Sequence, residues 1–246
     1  MIDLDILALA AILSVAYTAQ TISGFGVVVI ALTFSAHFMP IPVVLSLIIP
    51  LSIGQCTYLA VRYRGAIEWP LLLRRVLPLM GIGVVAGVLL APHIAGYWLR
   101  KLFAAMVLAL SSWELARLVV RPKATTRPLG PLPLVVTLLS AGVIHGIYAS
   151  GGPMLVYAFN RVGLSKSAFR TTLVTVWLTF NIFLAASFAN AGAYDWDTLT
   201  TLLLLAPAVP IGLIVGEHLH HRVDEHRFKI VTFALLAAAA LPLLLR

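Results

Sequence analysis

Two stretches decide the fold: residues 20–26, Gln20-Thr21-Ile22-Ser23-Gly24-Phe25-Gly26, and residues 146–153, Gly146-Ile147-Tyr148-Ala149-Ser150-Gly151-Gly152-Pro153. Each interrupts a long apolar stretch and leaves a short apolar run behind it. The first short run, 26–39, is closed by Pro40 and Pro42; the second, 152–160, by Asn160-Arg161. At ~1.5 Å per helical residue, neither is long enough to cross ~30 Å of hydrocarbon. Around them lie longer apolar runs at 6–22, 43–61, 71–91, 98–120, 131–149, 169–190, 198–217 and 229–245.

The composition explains why these runs belong in lipid. Of 246 residues, 61% are hydrophobic and 11% charged, and the mean hydropathy is +1.02. A soluble domain is about half apolar and a quarter charged, so this chain could not cover a water-exposed surface. That excludes a soluble enzyme, a disordered protein and a nucleic-acid-binding domain. The runs are continuous, not alternating, which excludes a porin-like barrel. The length allows roughly six to nine spans. The net charge of +8 sits in short connections, as expected of residues that set orientation in a bilayer. A single cysteine, Cys56, excludes an internal disulfide. The opening Met1-Ile2-Asp3-Leu4-Asp5 lacks the positive leader of a cleaved signal peptide.

The Pro-rich, basic stretch 117–130 cuts the chain nearly in half. A shift of 126 places Gly26 on Gly152; 127 places Trp69 on Trp196; 129 places Pro78 on Pro207, Gly83 on Gly212 and Gly87 on Gly216. This ordered series predicts a duplicated unit, with repeats at 1–120 and 131–246 joined by a cytoplasmic linker at 121–130. Arg62, Arg64, Arg74 and Arg75, the linker's Arg117, Arg121, Lys123 and Arg127, then Arg161, Lys166 and Arg170, and lastly Arg222, Arg227 and Lys229 mark four cytoplasmic connections. Segments 38–42 and 190–197 contain no Lys or Arg and are expected outside. The fold expected is therefore an all-α polytopic membrane protein of two inverted-topology repeats, each a broken, re-entrant helical hairpin followed by three transmembrane helices. Arg100 and Lys101, at the expected outer end of a span, dissent.

Inverted repeats with interrupted helices are the common build of secondary transporters. A helix broken at mid-depth frees backbone groups that survive only against protein or a cavity. Here each short helix starts at its break, so its N-terminus, with free N–H groups and about half a positive charge, points at the membrane centre. Pro153 suits a first helical position, and Ser23 and Ser150 can cap or donate. Two facing helix N-termini favour a small anion. The same glycines also suit close helix packing.

His145 lies just before the second break. An ionisable group at that depth suggests function, as a proton carrier or a partner of the anion; a neutral ring bonded to a carbonyl is the alternative. Gln20 and Thr21 can donate to oxyanions or hydrogen-bond between helices. Ser52, Gln55, Cys56 and Thr57 form a polar patch in the third run, with Thr171, Thr172, Thr175 and Asn181 as its counterpart. Both suit a substrate path and also bundle packing. Arg170 can draw in anions or anchor topology. His218 and His221 have metal-like spacing but lack a second ligand group. Ser150 lacks the surroundings of a catalytic nucleophile, and no Walker-type phosphate loop is present. Trp69, Trp98, Trp113 and Trp196 fall near span ends, as interface anchors do.

With Leu164-Ser165-Lys166-Ser167-Ala168-Phe169-Arg170-Thr171-Thr172, the two break sequences resemble the TauE/SafE family of sulfite-exporter-like bacterial permeases. The likeness covers nearly the whole chain and departs from the family pattern at Phe25, Val27 and His145. It implies a transporter, not an enzyme, that moves sulfite or sulfonates such as sulfoacetate across the inner membrane without a cofactor or metal. A passive anion channel, or a transporter of another small carboxylate or oxyanion, is the alternative. The partners expected are the anion, the lipid bilayer and a coupling proton, with no nucleic acid; the oligomeric state is left open. The substrate-binding residues expected are Gln20, Thr21, Ser23, Gly24, Phe25, Gly26, Gln55, His145, Tyr148, Ser150, Gly151, Gly152, Pro153, Thr171, Thr175 and Asn181.

Overall fold

The structure, a computed structural model, describes residues 4–94, 96–120, 129–220, 222 and 224–245. Helix α1 (Leu4–Ser23) breaks into α2 (Val27–Ser35), and α3 (Ile41–Arg62) follows. The next span combines α4 (Trp69–Leu71), a π-helical turn at Leu72–Val76 and α5 (Leu77–Leu90), before α6 (Gly96–Val120). Helix α7 (Pro131–Tyr148) breaks into α8 (Gly152–Phe159). Then come α9 (Lys166–Asn190), α10 (Trp196–Leu205), α11 (Ala208–His220) and α12 (Glu225–Leu245). No strand occurs among the described residues, and seven helical stretches there are long and apolar enough to cross a membrane. This is a helical, polytopic membrane protein.

Sequence chemistry accounts for the ends. Pro131 opens α7 after Gly130, where a missing N–H costs nothing. Ser165 Oγ accepts from Ala168 N and starts α9, and the Asp195 carboxylate accepts from Thr198 N and starts α10. Hydroxyls inside the spans fold back on their own helix: Ser14 donates to Ala10 O, Thr33 to Val29 O and Thr179 to Thr175 O. They present no unsatisfied polar group to lipid. Large apolar side chains such as Ile82, Leu203 and Ile214 are exposed, as are Trp69, Trp98, Trp113 and Trp196.

Three results refine the sequence reading. The first arms α1 and α7 have 20 and 18 residues, each enough to cross a membrane alone; only the second arms, α2 and α8, are short. The run 198–217 is not one helix. It divides at Ala206-Pro207, because Pro207 has no N–H to bond Leu203 and crowds the residue before it. The dissenting Lys101 donates to Leu244 O at the end of α12 and lies over the Tyr97 ring. A cation there meets the negative end of a helix. Residues 121–128 of the expected linker, with Arg121, Lys123 and Arg127, lie outside the described residues.

The shifted glycines are packing contacts. Gly83 and Gly87 of α5 press on Gly142 and Gly146 of α7, so closely that a Cβ on Gly142 would sit 2.1 Å from Met80 O. In the same way Gly212 and Gly216 of α11 press on Tyr17 and Thr21 of α1. Each broken hairpin is thus seated by its first arm on a glycine-faced helix from the other half of the chain, while α3 packs on α9 and α6 on α12. Dispersion between close backbones is what holds such crossings together in lipid.

Gly142→Ala should lower the thermal unfolding temperature in detergent, equivalent to about 1–3 kcal/mol of overpacking. Gly54→Ala, where a Cβ meets nothing within 4 Å, should be neutral or stabilising by up to ~1 kcal/mol. Equal effects would mean that the α5–α7 crossing is not backbone-tight.

Candidate functional site

The first break is made by left-handed backbone. Gly24 has φ 84° and Gly26 φ 109°, a region that glycine enters freely. Gly24 N donates back to Gln20 O at 2.7 Å, closing α1. Ser23 Oγ lies 2.8 Å from Ala19 O and 2.9 Å from Phe25 O, so it stitches the turn. Helix α2 then starts at Val27 with no side-chain cap. The amides of Val27, Val28 and Val29 therefore have no intrahelical carbonyl to bond. In the second break, Ala149 is the only non-glycine with positive φ among the described residues, at 50°, a strained position. Its N–H closes α7 on His145 O at 2.7 Å. Gly151 presses on Ala141, where a Cβ would sit 2.3 Å from the carbonyl oxygen, and Pro153 opens α8.

The two breaks lie against each other. A Cβ on Gly152 would sit 3.8 Å from Phe25 and 3.9 Å from Trp177. Between them is a cavity of about 20 Å³, lined by Gln20, Gly26 and Val27–Val29 from the first hairpin, His145, Ala149, Ser150 and Gly152 from the second, and Trp177 and Asn181 from α9. Trp177 joins the two sides: its Nε1 donates to Gly24 O at 2.9 Å, and its ring stacks on His145 at 5.3 Å. Both ring nitrogens of His145, Ser150 Oγ and Asn181 Oδ1 are buried without a hydrogen-bond partner. Buried polar atoms are normally satisfied, so their convergence on one cavity points to a polar guest.

The electrostatics of the site are one-sided. The last carbonyls of α1 are already engaged: Thr21 O by Arg170 Nη1 at 3.1 Å, Ile22 O by His220 Nδ1 at 2.9 Å, and Gly24 O by Trp177. The negative end of α1 is therefore occupied, while the amide end of α2 faces the cavity. Among the described residues no Asp or Glu lines it. The arrangement suits an anion. A volume of about 20 Å³ admits one water-sized species, so the site is closed around less space than a multi-oxygen anion needs.

Of the residues expected at the site, Gln20, Gly26, His145, Ser150, Gly152 and Asn181 line the cavity. Gln55 and Thr21 belong beside it, in a network between α1 and α3: Gln20 Nε2 donates to Gln55 Oε1 at 3.0 Å, and Gln55 Nε2 reaches Tyr17 O and Thr21 Oγ1. Ser23, Gly24 and Gly151 shape the turns. Phe25 and Pro153 face a neighbouring apolar pocket. Tyr148 donates to Leu99 O and ties α7 to α6. Thr175 bonds back to Thr171 O, and Thr171 Oγ1 is buried without a partner. Sequence reasoning expected free amides at the start of the first short helix but missed Trp177. Trp177 carried a signal, since it sits in mid-span one turn before Asn181, on the same face. No cluster of three metal-ligating side chains occurs among the described residues. Glu217 accepts from Tyr63 at 2.9 Å, and His221 lies outside the described residues.

The family model for the sulfite exporter TauE/SafE matches residues 8–243. The chain belongs to the TauE/SafE family. Comparison with curated proteins and with solved structures gave no match. As a TauE/SafE protein the chain is a multi-pass membrane transporter of the anion-exporter type, and its cargo is a small anion. This TauE/SafE chain carries its two glycine breaks on either side of one polar cavity.

Alanine at Gly24 should be worse than at Gly26. Both positions are left-handed, but a Cβ on Gly24 would also lie 2.9 Å from Arg170 Cα, whereas on Gly26 it meets only Ile30 at 3.7 Å. The strain alone is about 1–3 kcal/mol at each, so the thermal unfolding temperature should fall for both and further for Gly24→Ala.

Proposed function

We propose that this protein is a secondary transporter carrying sulfite or small organosulfonates such as sulfoacetate across a bacterial-type inner membrane. The anion binds in the cavity between the two breaks. One observation carries this reading: unpartnered His145 and Ser150 converge on the free amides of α2 in a space that no carboxylate of the described residues lines. The α2 amides, Ser150 hydroxyl and Asn181 amide group donate to the oxyanion, and preorganised donors of this kind bind charge strongly where water is excluded. His145 is the titratable group in the lining and carries the coupling proton.

The two halves, 1–120 and 131–246, are inverted repeats that rock around this site. Three features support this. Helix α1 sits on α11 as α7 sits on α5, each through two glycines four residues apart. Helices α3 and α9, and α6 and α12, pair across the halves. Pro78 and Pro207, matched by the shift of 129, each fall where a span is interrupted, by a π turn or by a break. The narrow cavity favours alternating access over an open pore: the anion must separate the hairpins to enter. The basic connections at 62–75 and 161–170 lie in the cytoplasm.

The test is ligand-induced thermal stabilisation of purified protein by sulfite, sulfoacetate, taurine, sulfate and carboxylates, followed by uptake into proteoliposomes. Stabilisation by a ligand at 100 times its Kd is about 2.7 kcal/mol, so sulfite and sulfoacetate should stand out and transport should saturate. Gly152→Val adds bulk where a Cβ meets only ordinary contacts. It should abolish transport while the protein still inserts. Non-saturating flux would indicate a channel, and normal transport by Gly152→Val would overturn the site.

A further inference from the structure

Arg170 is a buried cation that topology does not explain. It lies one turn into α9, is 4% exposed, and has no carboxylate within 4 Å among the described residues. Nη1 donates to Thr21 O at 3.1 Å, and the guanidinium lies 4.4 Å from the centre of the Tyr63 ring. Its Nε–H is buried without a partner, and Nη2 bonds no described residue. This leaves open the Nε–Nη2 edge, the side-on fork with which arginine takes two oxygens of an oxyanion. A cation kept from water without a counter-charge is costly, and a cation–π contact offsets only part of that.

Arg170 borders a pocket of about 220 Å³ that also has Ser23, Asn160 and Lys166 in its wall, with Ile22 and Phe169 as apolar sides. Lys166 is exposed, so a second cation stands at the pocket's edge; its Nζ is 3.5 Å from His220 O. Among the described residues no carboxylate lines the pocket, and none lines both it and the cavity between the breaks. Ser23 borders one space and Gly26 the other, so the first break is the partition between them.

We propose that this pocket is a second anion site, at which a sulfite or sulfonate group docks on Arg170 and Lys166 before it passes the first break. The proposal rests on the anion-transport reading and adds to it a loading position on the basic face. In the closed conformation the central cavity has room for about one water, whereas this pocket accommodates a small sulfonate, so the resting protein holds its anion here. Because the same guanidinium holds Thr21 O, occupancy of the pocket is transmitted to the partition.

The experiment is equilibrium binding of sulfite, and separately of sulfoacetate, to the purified full-length protein, with Lys166→Gln, Arg170→Lys and Gly54→Ala compared with wild type. Each loading-site variant should weaken binding roughly tenfold, the effect of one charge-assisted contact, while Gly54→Ala, where a Cβ meets nothing within 4 Å, binds as wild type does. Arg170→Lys retains the charge and loses the fork, so weakened binding there marks bidentate recognition. If Arg170→Lys unfolds, Lys166→Gln, at an exposed position, decides alone. Unchanged binding in Lys166→Gln, or an equal loss of binding in Gly54→Ala, overturns the second site. Absence of saturable transport by wild type would sink the transport reading, while the binding result still decides this one.

Discussion

Everything in this molecule depends on the treatment of backbone groups that a helix leaves unpaired inside a bilayer. Water pairs such groups at no great cost, but hydrocarbon does not. Breaks at 24–26 and 149–151 therefore have to be sheltered by protein, and the packing of the other helices accomplishes this. Glycine-faced crossings seat α1 on α11 and α7 on α5, and Trp177 of α9 bonds one break while its ring covers His145 beside the other. Remove the shelter and neither interruption is tolerable; remove the interruptions and the cavity has no amides to offer.

The two kinds of freed group are treated differently. Around the end of α1, Thr21 O, Ile22 O and Gly24 O receive donors from Arg170, His220 and Trp177, whereas the amides that open α2 receive no side-chain cap. That asymmetry gives the proposed site its sign. It also places a guanidinium against the outer side of the same turn, so the proposed loading pocket and the central cavity are back to back across a few residues of left-handed glycine backbone. The neighbouring Tyr63 connects this region with Glu217 of α11 through its hydroxyl while its ring faces Arg170.

Much of the fold was legible beforehand because lipid imposes a simple grammar. Apolar length sets the spans, and glycine before a short run sets a break; runs read at 43–61, 131–149 and 152–160 became helices at Ile41–Arg62, Pro131–Tyr148 and Gly152–Phe159. Local rules also anticipated Pro153 in a first turn. The interruption at Ala206-Pro207 was missed because hydropathy averages across a proline. Gln55 and Thr21 were read as ligand donors because composition cannot tell a side chain facing a cavity from one facing another helix; their mutual hydrogen bonds tie them to the α1–α3 contact. Arg170 read as drawing in anions or as anchoring topology, and its neighbours in a basic loop, Arg161 and Lys166, could not separate the two. Only its position beneath the Gly24 turn removes it from water.

From the order of residues alone follow the membrane class, the two interrupted hairpins and the direction of each short helix's dipole. These follow because hydrophobic length, glycine conformation and helix polarity are local properties. Which polar side chains meet, that Trp177 stands between the breaks, and that a buried arginine keeps one fork unused were decided by tertiary structure. Those facts depend on the rotation and depth at which helices far apart in the chain come to rest. Close backbone crossings set both, and no residue encodes either by itself.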